Sequence, residues 1–266
     1  MAHPPPDGAA GAGVKIPIVT GSAGGSGPSA GWALKRAVFD ERHGPLPALL
    51  LSLTVLAGVV DAVSILSLGH VFVATTTGNL VFIGLAAAGA KGFSVAASAL
   101  AIGGFVTGVL IGARACRAAG SHRGRALRNV LALKLGLASV VTLIALLSDE
   151  RYPAGARDAM VVLLATSMGA QLAAIRHLKV PDLLTVVLTM TIAGALTDRP
   201  SGWNDARLLR RALSVVAFAA GALSGALLVL HVGTAAALGL GLAIIVATTV
   251  AAHLVSRAPS GWSAVA

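Results

Sequence analysis

An acidic side chain inside an apolar segment is the feature of this sequence best suited to chemistry. Asp61 lies in the first long apolar run, residues 46–66, five positions before its end. A carboxylate at the centre of a membrane-spanning helix costs about 2.5 to 3.5 kcal/mol on insertion scales, and such residues usually belong to functional sites. We predict that Asp61 binds a proton or cation, or orients a polar substrate. The alternatives are a helix-end acid near the outer headgroups, or an acid paired to Arg176 or to threonines for folding alone.

A polar run follows Asp61 along the chain. Residues 75–79 read Thr-Thr-Thr-Gly-Asn. Hydroxyls, a glycine and a capping amide together can begin a half-helix whose N-terminal N–H groups face an anion or a carbonyl oxygen. We therefore predict that Thr77, Gly78 and Asn79 bind substrate. The alternative is a cap at a helix kink, in which the threonine hydroxyls bond to helix carbonyls.

The same pattern occurs twice, about 110 residues apart. Its landmarks are Gly58, Thr77 and Gly108 in the first copy and Gly169, Thr189 and Gly221 in the second. Counted from the leading glycine, the threonine lies at +19 and +20 and the later glycine at +50 and +52. Many transporter folds are internal duplications of this kind. The second copy adds the candidate substrate-binding residues Gln171, Thr185, Thr189 and Thr191.

The composition indicates an integral membrane protein. Hydrophobic residues make up 56% of the 266 positions and charged residues 11%, and the mean hydropathy is +0.86. The net charge of +10 comes from basic residues that lie between apolar runs, which favours positive-inside topology over nucleic-acid binding. A lone cysteine, Cys116, excludes an internal disulfide and a thiolate metal site. The histidines at the ends of apolar runs have no second ligand-type residue at i+3 or i+4, so we expect no metal and no cofactor; they are His70, His177, His231 and His253.

Eight apolar runs of 14 to 21 residues alternate with turns, at 46–66, 71–90, 93–113, 130–147, 159–175, 183–196, 212–230 and 232–252. A full crossing takes roughly 20 residues, so the sixth run, with 14, is too short to span. If all eight crossed and the N-terminus were cytoplasmic, the arginine-rich linker would lie outside the cell, against the positive-inside rule. That linker holds five arginines and no acid: Arg114, Arg117, Arg123, Arg125 and Arg128.

Charge is better distributed if the second and sixth runs are re-entrant or broken helices. Six crossings then place 17 of the 20 basic residues in the cytoplasm, with both termini. The predicted fold is all-α integral membrane, with six transmembrane helices plus two short re-entrant or broken helices in two inverted repeats. The predicted units are a disordered tail and amphipathic lead-in (1–44), a first membrane repeat (45–150), a second membrane repeat (151–256) and a C-terminal tail (257–266).

Small residues and one lysine complete the candidates. Glycines at helical spacing allow close helix packing, between the two halves or between the protomers of a homo-oligomer; they are Gly104, Gly108, Gly112, Gly221 and Gly225. Lys134 lies a few residues inside the fourth run. We expect its side chain to extend to the cytoplasmic surface.

Two motifs resemble those of the YoaK-like family of bacterial multi-pass membrane proteins, whose domain has no known function. Residues 58–79 read GVVDAVSILSLGHVFVATTTGN, and residues 169–191 read GAQLAAIRHLKVPDLLTVVLTMT. The resemblance covers roughly residues 45–255 and implies a six-helix inner-membrane protein without naming a substrate. This chain departs from the family pattern at Thr75 and Leu172, where Asn is usual, and at Met190, where Gly is usual.

We expect a transporter or channel-like protein for a small solute, with a polar site between inverted halves. The bilayer and a small solute are its expected partners. The alternative is a non-transporting scaffold or accessory subunit, whose glycines mediate assembly. An intramembrane enzyme would need a nucleophile with a base, or paired carboxylates, and Asp61 is the one acid well inside a run. We therefore expect no enzymatic activity.

Overall fold

The computed structural model describes Lys35 and residues 37–39, 44–120, 122–148, 152–178 and 206–256. The described chain is all-helical. Its helices are α1 (Leu46–Ser67), α2 (Thr76–Ala87), α3 (Val95–Ala118), α4 (Arg123–Leu147), α5 (Ala154–Leu178), α6 (Ala206–His231) and α7 (Thr234–Ser256). The sixth apolar run, with Thr185, Thr189 and Thr191, lies outside the described residues, and so do both predicted tails apart from Lys35, residues 37–39 and Gly44.

Six of these helices are long and apolar enough to cross a membrane, as predicted: all except α2. The shortest of the six, α1, has 22 residues, and at 1.5 Å per residue it extends about 33 Å, slightly more than the hydrocarbon core. Several helices continue beyond their apolar runs. Helix α4 begins at Arg123, seven residues before its run, and α3 continues to Ala118, so most of the arginine-rich linker is helical.

The second apolar run is broken, although its length alone would allow a crossing. Residues 71–75 are not helical, and α2 has 12 residues, about 18 Å of helix. A turn at Gly69 and His70 precedes the break, with φ of 97° and 55°. The first predicted short element is therefore an irregular segment followed by a half-helix.

Close contacts join helices from the two sequence copies. Helix α1 packs along α6, and α3 packs along α5. A Cβ added to Gly108 would collide with the Thr166 carbonyl of α5, and one added to Gly221 would collide with the Val55 carbonyl of α1. These backbones touch directly because neither position carries a side chain, which is how small residues draw membrane helices together.

The glycine contacts also fix helix direction. Along the α3–α5 pair, Gly104 and Gly112 face Val162 and Ala170; a Cβ on each would lie 2.8 Å from the Val162 carbonyl oxygen and 2.7 Å from the Ala170 Cα. Residue numbers therefore increase in the same direction along both helices, so the two helices are parallel. The α1–α6 pair behaves in the same way, with Gly221 against Val55 and Gly225 against Val59.

The leading helices of the two copies, α1 and α5, run in opposite directions. The Gln171 amide, late in α5, donates to the Leu53 carbonyl, early in α1, at 3.2 Å. At the other end, the Arg157 side chain of α5 lies beside Gly69, just after α1. This is the direction that inverted repeats require. Inversion of the complete repeats remains a prediction, because the second short element lies outside the described residues.

Adding one methyl group to the α3–α5 contact should destabilise the protein. Gly108→Ala places a Cβ against the Thr166 backbone, and overpacking of this kind costs about 1 to 3 kcal/mol. Gly103 is the matched control, since it is exposed on the same helix with no atom within 4 Å of an added Cβ. Thermal unfolding in detergent should show a lower midpoint for Gly108→Ala and little change for Gly103→Ala. Equal midpoints for the two variants would contradict this packing.

Candidate functional site

Asp61 bonds to the irregular segment that precedes α2. Its side chain is 3% exposed. One carboxylate oxygen accepts the backbone N–H groups of Val73 and Ala74, at 3.1 and 2.9 Å, and the other accepts the Thr75 hydroxyl at 3.3 Å. Backbone N–H groups outside a helix need acceptors at membrane depth, where water is absent. Asp61 supplies those acceptors from the neighbouring helix.

Asn79, on α2, also bonds to the backbone of the irregular segment. Its side-chain oxygen accepts the Phe72 N–H at 2.9 Å, and its amide donates to the Phe72 carbonyl at 2.6 Å. Asn79 is fully buried. Asp61 and Asn79 together therefore bond the N–H groups of three successive residues, 72–74. Substrate binding by this motif stays a prediction. The alternative, a cap at a kink, agrees with the break before α2, but the Thr75 hydroxyl donates to Asp61 and not to a helix carbonyl.

Gly78 makes room for an aromatic ring. A Cβ at this position would collide with the Phe72 ring. Phe72 stacks on Phe82, with centroids 5.4 Å apart and planes at 10°, and Phe82 in turn packs against Phe93 at 4.9 Å. Aromatic pairs in this range add roughly 0.5 to 1.5 kcal/mol beyond the area that they bury. The glycine thus lets α2 fold back onto the segment before it.

The predicted substrate-binding residues of the first copy do not share one role. Asp61, Gly78 and Asn79 come together around residues 72–75, and their contacts are with the protein itself. Thr77 is exposed on α2, and on the following turn Leu80 and Val81 are 63% and 59% exposed. Such apolar exposure is typical of a lipid-facing surface.

Gln171 does not join the Asp61 group. Its partner Leu53 lies eight residues before Asp61 on α1, which is about 12 Å along the helix. Leu172 occupies the position that matches Asp61 in the second copy, and it packs against the hydrophobic core. Gln171 and Leu172 are adjacent in sequence, but their side chains therefore lie in different surroundings.

Lys134 is the residue that sequence reasoning placed wrongly. Its side chain does not extend to the surface: it is 0% exposed. The ammonium donates to the Ser167 hydroxyl at 3.1 Å and to the Ser167 carbonyl at 3.4 Å, and it lies 3.6 Å from the Met168 sulfur. In the part of the chain that the structure describes, its bonding partners include no carboxylate.

The start of α4 explains the error. The apolar run begins at residue 130, which would place Lys134 near the helix end. Helix α4 in fact begins at Arg123, so Lys134 lies 11 residues along it, about 17 Å from the first residue and near its middle. Arginines that precede the apolar run concealed this helix start.

A small cavity lies beside Lys134, between helices of both copies. It measures about 10 Å³, enough for about one water molecule. Three of its lining residues are polar: Lys134, Thr142 and Ser167. The apolar part of its wall includes Leu56 and Val60 of α1, Leu164 of α5, and Leu238, Leu242 and Ile245 of α7. A single ammonium group thus faces an otherwise nearly apolar space at the centre of the bundle.

Comparison with known proteins agrees with this architecture. The family described as a protein of unknown function, DUF1275, matches residues 49–251. This chain belongs to that family. It is 36% identical over 151 residues to the UPF0700 transmembrane protein YoaK of Bacillus subtilis (strain 168), across 56% of this chain and 65% of that relative's length. No solved structure matches the chain.

The resemblance that the two motifs predicted is therefore confirmed, and this DUF1275 protein is a multi-pass membrane protein whose long helices lie in a lipid bilayer. Its outer face agrees with that environment. Large apolar side chains are exposed on several helices, among them Leu143, Leu147, Leu223 and Leu230. In water this surface would favour aggregation, whereas lipid tails cover it without cost.

Removing the Asp61 carboxylate should release the segment before α2. Asp61→Ala leaves two N–H groups and one hydroxyl without their acceptors, at about 1 to 3 kcal/mol for each buried group. Asp61→Asn keeps one oxygen for the two N–H groups, so it should be clearly milder. Asp158→Ala, an acid near the start of α5, is the control for loss of charge. Thermal unfolding in detergent distinguishes these variants; equal losses for Asn and Ala would show that the charge, not the bonding, matters.

Neutralising Lys134 should stabilise the DUF1275 protein. Replacing buried charged groups by apolar residues of similar volume is often neutral or stabilising, by about 1 to 4 kcal/mol. Lys134→Met should therefore raise the unfolding midpoint, or leave it unchanged. Arg128→Met, on an exposed position of the same helix, is the control and should change it little. A lower midpoint for Lys134→Met would mean that the bonds to Ser167 hold α4 and α5 together.

Proposed function

We propose that this DUF1275 protein is a transporter or channel-like protein for a small solute, with its polar site at Lys134 and Ser167. The observation that carries the proposal is the buried Lys134 ammonium, which faces a cavity formed by helices of both sequence copies. A charged side chain inside a membrane is costly, and it usually lines the path of a solute or an ion. Folding alone would be served better by an apolar residue at this position.

The broken element supports the same function. Transporters often place irregular backbone and half-helices beside their substrate sites. Here Asp61 and Asn79 bond that irregular backbone, so we assign them a positioning role and give the solute contact to Lys134 and Ser167. The antiparallel α1 and α5 favour inverted repeats, in which one half can rock against the other. Proton coupling through Asp61 is not part of this proposal, because its oxygens serve the backbone.

The proposed topology follows the positive-inside rule. Helices α3 and α4 meet at a short turn, and arginines flank it on both sides: Arg114 and Arg117 before it, Arg123, Arg125 and Arg128 after it. We assign this end to the cytoplasm of a bacterial inner membrane, together with both termini. Lys91 and Arg157 then lie at the opposite surface.

A scaffold or accessory subunit is the second candidate, and the small size of the cavity favours it. A transporter would show the same volume in an occluded state. The role of the glycines argues against the scaffold, because Gly104, Gly108, Gly112, Gly221 and Gly225 all contact other helices of the same chain. A homo-oligomer would have to use another face.

We propose no enzymatic role, although Ser167 and Lys134 lie within hydrogen-bond distance. A serine nucleophile with a lysine base also needs donors for the oxyanion that forms. Ser167 lies in the interior of α5, where backbone N–H groups bond to carbonyls of the same helix. Those groups are therefore not available to an oxyanion.

Access to the cavity from water distinguishes transport from scaffolding. In a Cys116→Ser background, Thr142→Cys places a thiol in the cavity wall, and a charged, membrane-impermeant thiol reagent is applied from each side. A transporter should show slow labelling from both sides as the halves rock. Leu143→Cys, 55% exposed on the outside of the same helix, should stay unlabelled within lipid, and Lys91→Cys should label rapidly from one side. Protection of Thr142→Cys from both sides would place the scaffold first.

A further inference from the structure

The charge balance of the cavity indicates the class of solute. Of the residues that line it, Lys134 is the charged one. Asp61, the buried acid of α1, is not part of the wall, and its oxygens bond to residues 73–75. The ammonium is therefore not neutralised within the described residues. In its protonated form, Lys134 attracts anions to this cavity and repels cations.

The bonding of the ammonium leaves it able to hold a ligand. An ammonium group has three N–H donors. Its bonds to the Ser167 hydroxyl and carbonyl measure 3.1 and 3.4 Å, and its third neighbour is a thioether at 3.6 Å. These lengths exceed the usual 2.7 to 2.9 Å of a charge-assisted bond. The Ser167 hydroxyl accepts from Lys134, so its own hydrogen is free to turn toward a ligand.

We infer that this site binds a small monovalent anion that gives up its hydration easily. This inference rests on the proposed transport function and names its substrate class. One ammonium and one hydroxyl can compensate one negative charge, and the apolar wall offers nothing to a second. Iodide, nitrate and thiocyanate lose less hydration free energy on leaving water than fluoride, sulfate and phosphate do. In this state of the protein the cavity has room for about one water molecule, so the anion enters only when the two halves move apart.

Anion flux into vesicles tests the inference. The purified protein is reconstituted into phosphatidylcholine–phosphatidylglycerol vesicles that contain a halide-quenched dye, with potassium and valinomycin to balance charge. Addition of iodide should quench the dye faster than in protein-free vesicles. Nitrate should slow the quenching by competition, and sulfate should not. Lys134→Met should reduce the rate at least tenfold, Lys134→Arg should retain part of it, and Arg128→Met should match the unmodified protein.

The result separates this inference from the proposed function. Iodide flux that is equal with the unmodified protein, with Lys134→Met and without protein would overturn the anion site. If Thr142→Cys is nevertheless labelled from both sides, the transport proposal stands and the solute is not an anion. If Thr142→Cys is also protected, both proposals fail. The unfolding midpoint of Lys134→Met is measured beside its flux, and a midpoint no lower than that of the unmodified protein shows that a loss of flux does not come from unfolding.

Discussion

The absence of water in the bilayer core is the constraint on which the rest of this structure depends. Each backbone N–H and C=O group at membrane depth must have a partner within the protein, and six long helices provide this for most of the chain. Residues 71–75 cannot, because they are not helical. Asp61 and Asn79 replace the missing helix bonds. The cost of burying a carboxylate is thereby offset by three hydrogen bonds, two of them to backbone N–H groups.

The second organising feature is close contact between the two sequence copies. Gly58 meets the Phe218 carbonyl of α6, and its counterpart Gly169 meets the Phe105 carbonyl of α3. The same pairs of positions therefore touch in both places, as a two-fold relation would produce. The leading helix of each copy packs against the glycine-bearing helix of the other copy: α1 against α6, and α5 against α3. Hydrophobic burial does not drive helices together in lipid, so these van der Waals contacts supply much of the cohesion.

Lys134 stands apart from both features, since nothing in the packing requires a charge there. Its neighbours in the cavity wall are mostly leucine, valine and isoleucine, and an apolar side chain would fill the same space at lower cost. For this reason we proposed a ligand for Lys134. Ser167, on a helix of the other sequence copy, positions the ammonium, so movement between the halves would change the site directly.

Composition and local pattern determined the membrane class, the six crossings, the family and the break in the second apolar run, because each depends on residues close together in sequence. Only the tertiary structure decided which side chains meet. Asp61 accepts hydrogen bonds from the irregular segment that follows α1, and Gln171 donates to Leu53 on an antiparallel helix. Lys134 lies in the core because α4 begins at Arg123. The partners of a side chain depend on the direction of each helix and on the position of the residue along it. Neither can be obtained from the sequence one segment at a time.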